Sequence, residues 1–421
     1  MTRMMKDSGV EWIGEIPEKW AIERLARHLM EINEKNFPIK TTNVLSLTNK
    51  LGVIPYEDKG NQGNKAKENY EEYKVAYKDT IIANSMNILI GSVGYSNYYG
   101  CVSPVYYVFK EKPKNNLYFL NYIMQTPQFQ KELRKYANGI LEIRLRLSAN
   151  DILKRMVAFP PLSEQDKIAA FLDDKCGAID EIIRKTEQSI EEYKKLKQSV
   201  ITKAVTKGIR PNRPMQDSNI EWIGEIPTDW EIKKLKFIFE IKKEIAGKEG
   251  YTVLSITQTG IKPKNITSNE GQLASDYSKY QLVDKGDFAM NHMDLLTGWV
   301  DISKYDGVTS PDYRVFRLKR VNNCNRYFLY MMQLCYLNKI FYGLGQGVSG
   351  FGRWRLPADM FLNFLIPLPP LDEQKEIADY LDEKCSEIDT LIEKKQQFLA
   401  EMANYKKSLI YEYVTGKKEV V

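Results

Sequence analysis

Asp7-Ser8-Gly9-Val10-Glu11-Trp12-Ile13-Gly14-Glu15-Ile16-Pro17-Glu18-Lys19-Trp20 returns 210 residues downstream as Asp217-Ser218-Asn219-Ile220-Glu221-Trp222-Ile223-Gly224-Glu225-Ile226-Pro227-Thr228-Asp229-Trp230. A second block, Pro160-Pro161-Leu162-Ser163-Glu164-Gln165 running on to Asp173-Asp174-Lys175-Cys176, returns after 209 residues as Pro369-Pro370-Leu371-Asp372-Glu373-Gln374 running on to Asp382-Glu383-Lys384-Cys385. Two long matches at one period define a tandem duplication, which constrains the fold before any single element does. Fainter echoes keep the register between the blocks. Val44-Leu45-Ser46-Leu47-Thr48 answers Val253-Leu254-Ser255-Ile256-Thr257, Ser103-Pro104 answers Ser310-Pro311, and Arg144-Leu145-Arg146-Leu147 answers Arg353-Trp354-Arg355-Leu356. One shared frame thus holds two differently written inserts, at roughly 30–158 and 240–366.

The inserts read as mixed α/β. Runs such as Thr80-Ile81-Ile82-Ala83 and Val105-Tyr106-Tyr107-Val108-Phe109 lie between Gly, Asn and Asp turns, and each insert closes with a helical stretch, 117–136 and 326–341. The blocks after the double prolines have another pattern: proline before the first turn, acidic residues early, and apolar residues at heptad spacing, which together make a long helix in each half. Leu172, Cys176, Ile179, Ile183, Ile190, Tyr193 and Val200 form one seam, and Leu381, Cys385, Ile388, Ile392, Leu399, Met402 and Leu409 the other. Lys197, Lys395 and Lys406 interrupt them.

A helix over 162–205 extends ~65 Å at 1.5 Å per residue. Burying its seam against the second helix requires the two to run antiparallel, which places the inserts apart on a two-helix spacer. The expected fold is α+β, with segments 1–158, 159–209, 210–366 and 367–421 as domain, helix, domain, helix. Charge follows the same division. The formal net charge is +6, but 160–208 holds nine basic and nine acidic residues and 369–421 eight and twelve, which leaves +10 on the globular parts. Two basic domains that far apart match about two ~34 Å turns of B-DNA.

Composition excludes several classes. With 43% hydrophobic and 28% charged residues the chain is neither disordered nor built around a membrane span, and the polar start has no apolar signal region, so a cytoplasmic location is expected. Five cysteines at wide spacings, with only His28 and His292 beside them, give neither a disulfide framework nor a zinc site.

The tandem Glu-Trp-Ile-Gly-Glu-Ile-Pro-x-x-Trp boxes, the Pro-Leu-x-Glu-Gln helix starts, and Asp294-Leu295-Leu296-Thr297-Gly298 with Ser310-Pro311-Asp312-Tyr313 resemble the specificity (S) subunit of type I restriction–modification systems, over essentially the whole chain. The resemblance implies two target recognition domains, each reading one half of a split site in double-stranded DNA, and a coiled-coil spacer that fixes the distance between halves. It also implies two modification (adenine methyltransferase) subunits docked on this chain, with S-adenosylmethionine on them, and restriction (translocase and nuclease) subunits with ATP and Mg. No cofactor or metal is expected on this chain itself. In the first insert Gly91-Ser92-Val93-Gly94 departs from the Asp-Leu-Leu-Thr-Gly wording of the second.

The catalytic motifs in the sequence lack the structural context they need. Gly345-Gln346-Gly347-Val348-Ser349-Gly350 has the glycine spacing of a dinucleotide loop, but a helix precedes it and Arg353-Trp354-Arg355-Leu356-Pro357 follows, where strand, turn and helix are needed. No phosphate loop and no Asn/Asp-Pro-Pro-Tyr/Phe motif is present. The expected chain is non-catalytic. Base and phosphate contacts call for Arg, Lys, Asn, Gln and hydroxyl side chains in loops, which nominates Asn84, Ser85, Asn87, Arg144 and Arg146 in insert one and Asn291, His292, Asp294, Gln346, Arg353 and Arg355 in insert two. Trp12, Trp20, Trp222 and Trp230 are assigned to packing of the frame. The competing reading is a coiled-coil assembly scaffold whose inserts bind proteins.

Overall fold

The computed structural model describes residues 3–48, 52–60, 69–137, 145–266, 274–320, 322–347 and 354–420. They form two compact units, Met1–Glu187 with Gln396–Val421, and Gln188–Lys395. The helices are α1 (Leu117–Gln125), α2 (Pro127–Arg134), α3 (Ala149–Leu153), α4 (Leu162–Lys207), α5 (Asn325–Leu337), α6 (Ala358–Asn363) and α7 (Leu371–Val414). Each unit owns the first part of one long helix and the last part of the other, so the unit boundaries fall inside α4 and α7 and not at the ends of the segments 159–209 and 367–421. Among the described residues no helix is long and apolar enough to cross a membrane.

The two units repeat one topology. In the first, four antiparallel strands stand in the order Leu29–Ile32, Tyr106–Glu111, Thr80–Asn84, Val93–Ser96; in the second the order is Phe239–Lys242, Arg314–Leu318, Phe288–Met290, Val300–Ile302. A hairpin (Leu45–Thr48 with Gly52–Pro55; Leu254–Thr257 with Gly260–Pro263) and a strand pair (Lys74–Ala76 with Gly100–Val102; Gln281–Val283 with Gly307–Thr309) accompany each sheet. A glycine at the same place in both pairs is obligatory: a Cβ on Gly100 would stand 2.4 Å from the Asn43 carbonyl oxygen, and one on Gly307 would stand 2.3 Å from that of Thr252.

The repeated blocks turn out to hold each other. Each box is a small hairpin, Met5–Asp7 with Glu15–Pro17 and Met215–Asp217 with Glu225–Pro227, closed by bonds from Ser8 N to Gly14 O and from Ser218 N to Gly224 O. Gly9 and Asn219 share the left-handed turn position, which Asn tolerates. Behind the hairpin Trp20 and Trp230 are buried, and their indole N–H groups donate to Glu164 (3.0 Å) and Glu373 (2.9 Å) of the Pro-Leu-x-Glu-Gln starts. Arg3 pairs with Glu164, and Arg213 with Glu373 and Asp229. The neighbouring glutamine then ties the insert down: Gln165 accepts from Asn116 N at the head of α1 (3.0 Å) and donates to Pro160 O, while Gln374 accepts from Cys324 N at the head of α5 (2.9 Å) and donates to Pro369 O. Box, insert and long helix meet at one Glu-Gln pair in each unit.

Within each unit the long helices pair antiparallel. In the first, Phe171 packs on Tyr413 and Lys406 binds Asp180 at 2.6 Å; in the second, Lys197 binds Asp389 at 2.7 Å and Lys395 lies over the Tyr193 ring. The lysines that interrupt the seams are thus the cross-helix partners of acidic residues and a tyrosine. Of the seam, Leu172, Cys176, Ile179, Ile190, Leu381, Cys385, Ile388 and Leu409 are buried, and Ile183, Tyr193, Val200, Ile392, Leu399 and Met402 are half-buried. All five cysteines are free and buried.

Three element boundaries differ from expectation. The stretch expected as one helix over 117–136 breaks at Thr126, because Pro127 cannot continue α1 and instead opens α2 with Thr126 as its cap. The second insert's helix stops at Leu337, where Lys339 turns left-handed and a short 3-10 turn, Phe341–Leu344, follows. α4 continues to Lys207 and ends on Gly208 at φ +74°, as α7 ends before Gly416 at φ +71°.

Candidate nucleic-acid interface

In both units the third strand of the sheet runs out into a loop that meets the segment before the last short helix. In the second unit the loop is Asn291 to Trp299. Asp294 builds it, accepting from Leu296 N (2.9 Å), Thr297 N (3.0 Å) and the Thr297 hydroxyl, while Leu295 plugs it into the core. Burial opposes ionisation of Asp294, but those hydrogen bonds hold it below the usual carboxylate range. Asn291 Oδ1 accepts from Met293 N, and the Asn291 carbonyl accepts from the Tyr336 hydroxyl (2.8 Å). A Cβ on Gly298 would fall 2.0 Å from the Asp294 carbonyl oxygen, so the glycine is required.

His292 holds the next segment through its backbone, its carbonyl accepting from Leu356 N at 2.9 Å. Its buried Nδ1 has no partner, and burial, with Arg314 and Arg355 nearby, pushes its pKa down to about 4, so the ring is neutral at physiological pH. Beside it Arg314, buried, donates from Nη2 to the Leu356 carbonyl (2.8 Å) and lies 4.9 Å over the Phe361 ring, with Nη1 unpartnered. Burial lowers its pKa to about 10 against the opposing influence of Tyr336 and Asp359. Gln346 and Arg355 exchange two backbone hydrogen bonds (2.9 and 3.1 Å) and leave both side chains exposed. Gly345 makes room for Trp354, whose indole bonds Tyr342 O: a Cβ there would lie 2.2 Å from the indole nitrogen. The glycine therefore serves packing of the loop.

The first unit builds the same junction from other residues. Asn84 and Ser85 are buried; Asn84 Oδ1 accepts from Met86 N, and Ser85 O accepts from Leu147 N (3.2 Å) as His292 O does from Leu356 N. Tyr107 stands where Arg314 stands, its hydroxyl donating to Leu147 O at 2.8 Å. A short 3-10 turn, Ile88–Ile90, ending on Gly91 at φ +91°, replaces the Asp-Leu-Leu-Thr-Gly turn. Asn87 and Arg146 are exposed, and apolar side chains stand out at the tips: Met86 and Ile90 in this unit, Leu296 in the other.

The structure thus gathers Asn84, Ser85, Asn87 and Arg146 at one junction and Asn291, His292, Asp294, Gln346 and Arg355 at the other. Arg144 and Arg353 lie outside the described residues. Tyr107 and Arg314 were not singled out in the sequence. The sequence marks only Arg314, an arginine directly before the apolar Val315 and Phe316, and carries no mark at Tyr107.

Two copies of one sheet, each carrying a differently built loop junction and fastened by the same Trp-Glu-Gln contacts to paired helices, define a duplicated scaffold. Residues 17–192 and 227–400 match the family described as type I restriction modification DNA specificity domain, and the chain belongs to that family. It is similar to the type I restriction enzyme MjaVIII specificity subunit of Methanocaldococcus jannaschii, 29% identical over 74% of this chain and 72% of the relative. The putative MjaX specificity subunit of the same organism is 23% identical over 97% and 96%. Two solved structures share the fold. One is a chain from work on complex assembly and conformational transition of the type I R-M system (TM-score 0.70, 15% identity, 96% and 99% covered), and the other is the HsdS subunit from Thermoanaerobacter tengcongensis (TM-score 0.51, 14% identity, 96% and 98% covered).

Proposed function

We propose that this specificity subunit reads a bipartite site in double-stranded DNA, with one loop junction per half-site, and that α4 and α7 set the distance between the halves. The observation that carries the reading is the contrast between frame and junction. The Trp-Glu-Gln knot is the same in both units, while in the same topological place Ser85 answers His292, Tyr107 answers Arg314 and a 3-10 turn answers an Asp-built turn. Loops presenting Arg, Asn and Gln suit base edges and phosphates.

On this reading the chain does no chemistry itself. Two modification subunits dock on the long helices, whose exposed Ile182, Leu196, Leu391, Phe398 and Tyr405 offer apolar contact, bind S-adenosylmethionine and methylate an adenine flipped from the stack. Restriction subunits supply ATP- and Mg-dependent cleavage. The test is to replace residues 30–158 with a foreign insert and map methylated adenines in cells that carry the modification subunits. One half of the methylated motif should change; a change in both halves defeats the two-reader arrangement, and methyl transfer by this chain alone defeats the non-catalytic assignment.

A further inference from the structure

The long helices carry many charges, and several of their cations are answered locally: Arg184 and Lys185 by Glu181, Lys194 by Glu191, Lys197 by Asp389, Lys384 by Glu387 and Lys406 by Asp180. Lys167, Lys375, Lys394 and Lys407 are exposed without a carboxylate partner among the described residues, but they stand scattered along the two helices. The C-terminal third of α4 differs in holding its unpaired lysines at regular spacing. Lys195, Lys203 and Lys207 are exposed there, and among the described residues none has a carboxylate partner. With Ser199 they stand at i, i+4, i+8 and i+12, a ridge that winds by about 120° around the helix over its length, with a step of ~6 Å along the axis. The row lines one wall of an open groove of about 560 Å³, floored by Thr202 and Thr206 and closed by Asn338 at the end of α5; no acidic side chain lines it.

The groove adjoins the second loop junction. Asn338 is fixed to α4 through Gln198 and Thr202, and two residues earlier Tyr336 bonds the Asn291 carbonyl. The end of α5 therefore links the lysine row to the loop of Asn291, His292 and Asp294. The row is also no part of the repeated frame. At the repeat offset of 209, Lys195 and Lys203 correspond to Asn404 and Glu412, and Glu412 is itself paired with Lys418. A cationic row present in one unit, unpaired and continuous with that unit's loops, calls for an anionic ligand with regularly spaced charge.

We propose that this groove seats the sugar-phosphate backbone of DNA beside the half-site addressed by the second unit, a proposal that rests on the DNA-reading function above. The ~6 Å step matches about two nucleotides of axial rise along one strand at 3.4 Å each. Lys195, Lys203 and Lys207 supply charge, and the Ser199 hydroxyl and the Asn338 side chain supply neutral donors, a mixture that positions a duplex and carries no base information.

The experiment uses the full chain co-purified with its modification subunits and a duplex carrying the methylated motif found in cells. The affinity of wild type and of K195Q/K203Q/K207Q is measured across a salt series. Each phosphate that is no longer neutralised lowers the slope of log affinity against log salt by ~0.9, so the triple variant should show a slope shallower by about 2 to 3, with the methylated motif unchanged. R184Q/K185Q/K384Q, which removes the same charge from side chains already paired with Glu181 and Glu387, should change the slope by less than one. An unchanged slope in the triple variant, with binding intact, overturns the groove alone. Loss of the modification subunits from the purified complex, with DNA affinity otherwise unaltered, assigns the row to a protein face and also overturns it. A wild-type complex with no salt-dependent DNA affinity overturns the DNA reading itself.

Discussion

Glu373 and Glu164 do the same job in different surroundings, and the difference sets the size of two mutations. The Glu373 side chain is 0% exposed and that of Arg213 13%, whereas Glu164 and Arg3 keep 26% and 22%. In Glu373→Ala the Trp230 indole N–H and the Arg213 guanidinium both lose a buried partner, though Asp229 still meets Arg213 at 2.5 Å. Removing one member of a buried pair costs about 3–5 kcal/mol, and the surviving Asp229 interaction places the expectation at the lower end, ~3 kcal/mol. Glu164→Ala breaks the equivalent bond to Trp20 where water can reach the pair, so ~1–1.5 kcal/mol is expected. Glu373→Gln keeps an acceptor for the indole but loses the charge and should fall between. Urea titrations give the loss from the midpoint and slope, and indole N–H exchange at Trp20 and Trp230 by NMR assigns each loss to its unit. If Glu164→Ala costs as much as Glu373→Ala, burial is not what strengthens the knot, and the reasoning fails.

His292 gives a pH signature. Its folded pKa is about 4 against 6.5 for a free imidazole, so between those values the unfolded chain takes up a proton that the folded chain refuses. The contribution is fully present above pH 6.5 and is lost as pH falls toward 4, and His292→Gln should flatten that fall; an imidazole titrating above 6 by NMR contradicts it. Gly345→Ala drives a methyl against the Trp354 indole and should cost about 1–3 kcal/mol in thermal denaturation, while an unaltered melting temperature would show that the loop repacks freely. Matched seven-residue insertions after Ile190 in α4 and after Lys395 in α7 add ~10.5 Å of helix, about three base pairs at 3.4 Å. The gap between the halves of the methylated motif should lengthen accordingly, and an active assembly with an unchanged gap removes the ruler role.

What could be read in advance, and what could not, follows from how each position is constrained. Trp20, Trp230, Glu164, Glu373, Gln165 and Gln374 are held by specific polar bonds within their own units, so both halves keep the same residue types and the duplication is visible as words. Gly100 and Gly307 are as strictly required, yet a lone glycine in a rewritten insert carries no signal of the backbone pressed against it. Tyr107 and Arg314 are harder still, because a phenol and a guanidinium make the same bond to a leucine carbonyl and share no letter. The loop candidates were found by type, but type does not say where a hydrogen bond is spent: Asn84 and Asp294 use theirs to shape their own turns, while Asn87, Arg146, Gln346 and Arg355 keep exposed side chains. Loop-shaping and exposed groups alternate within a few residues of each other. A substitution such as Tyr107 for Arg314 can therefore preserve the backbone junction and change what stands beside it, which lets two recognition loops diverge on one frame without refolding either.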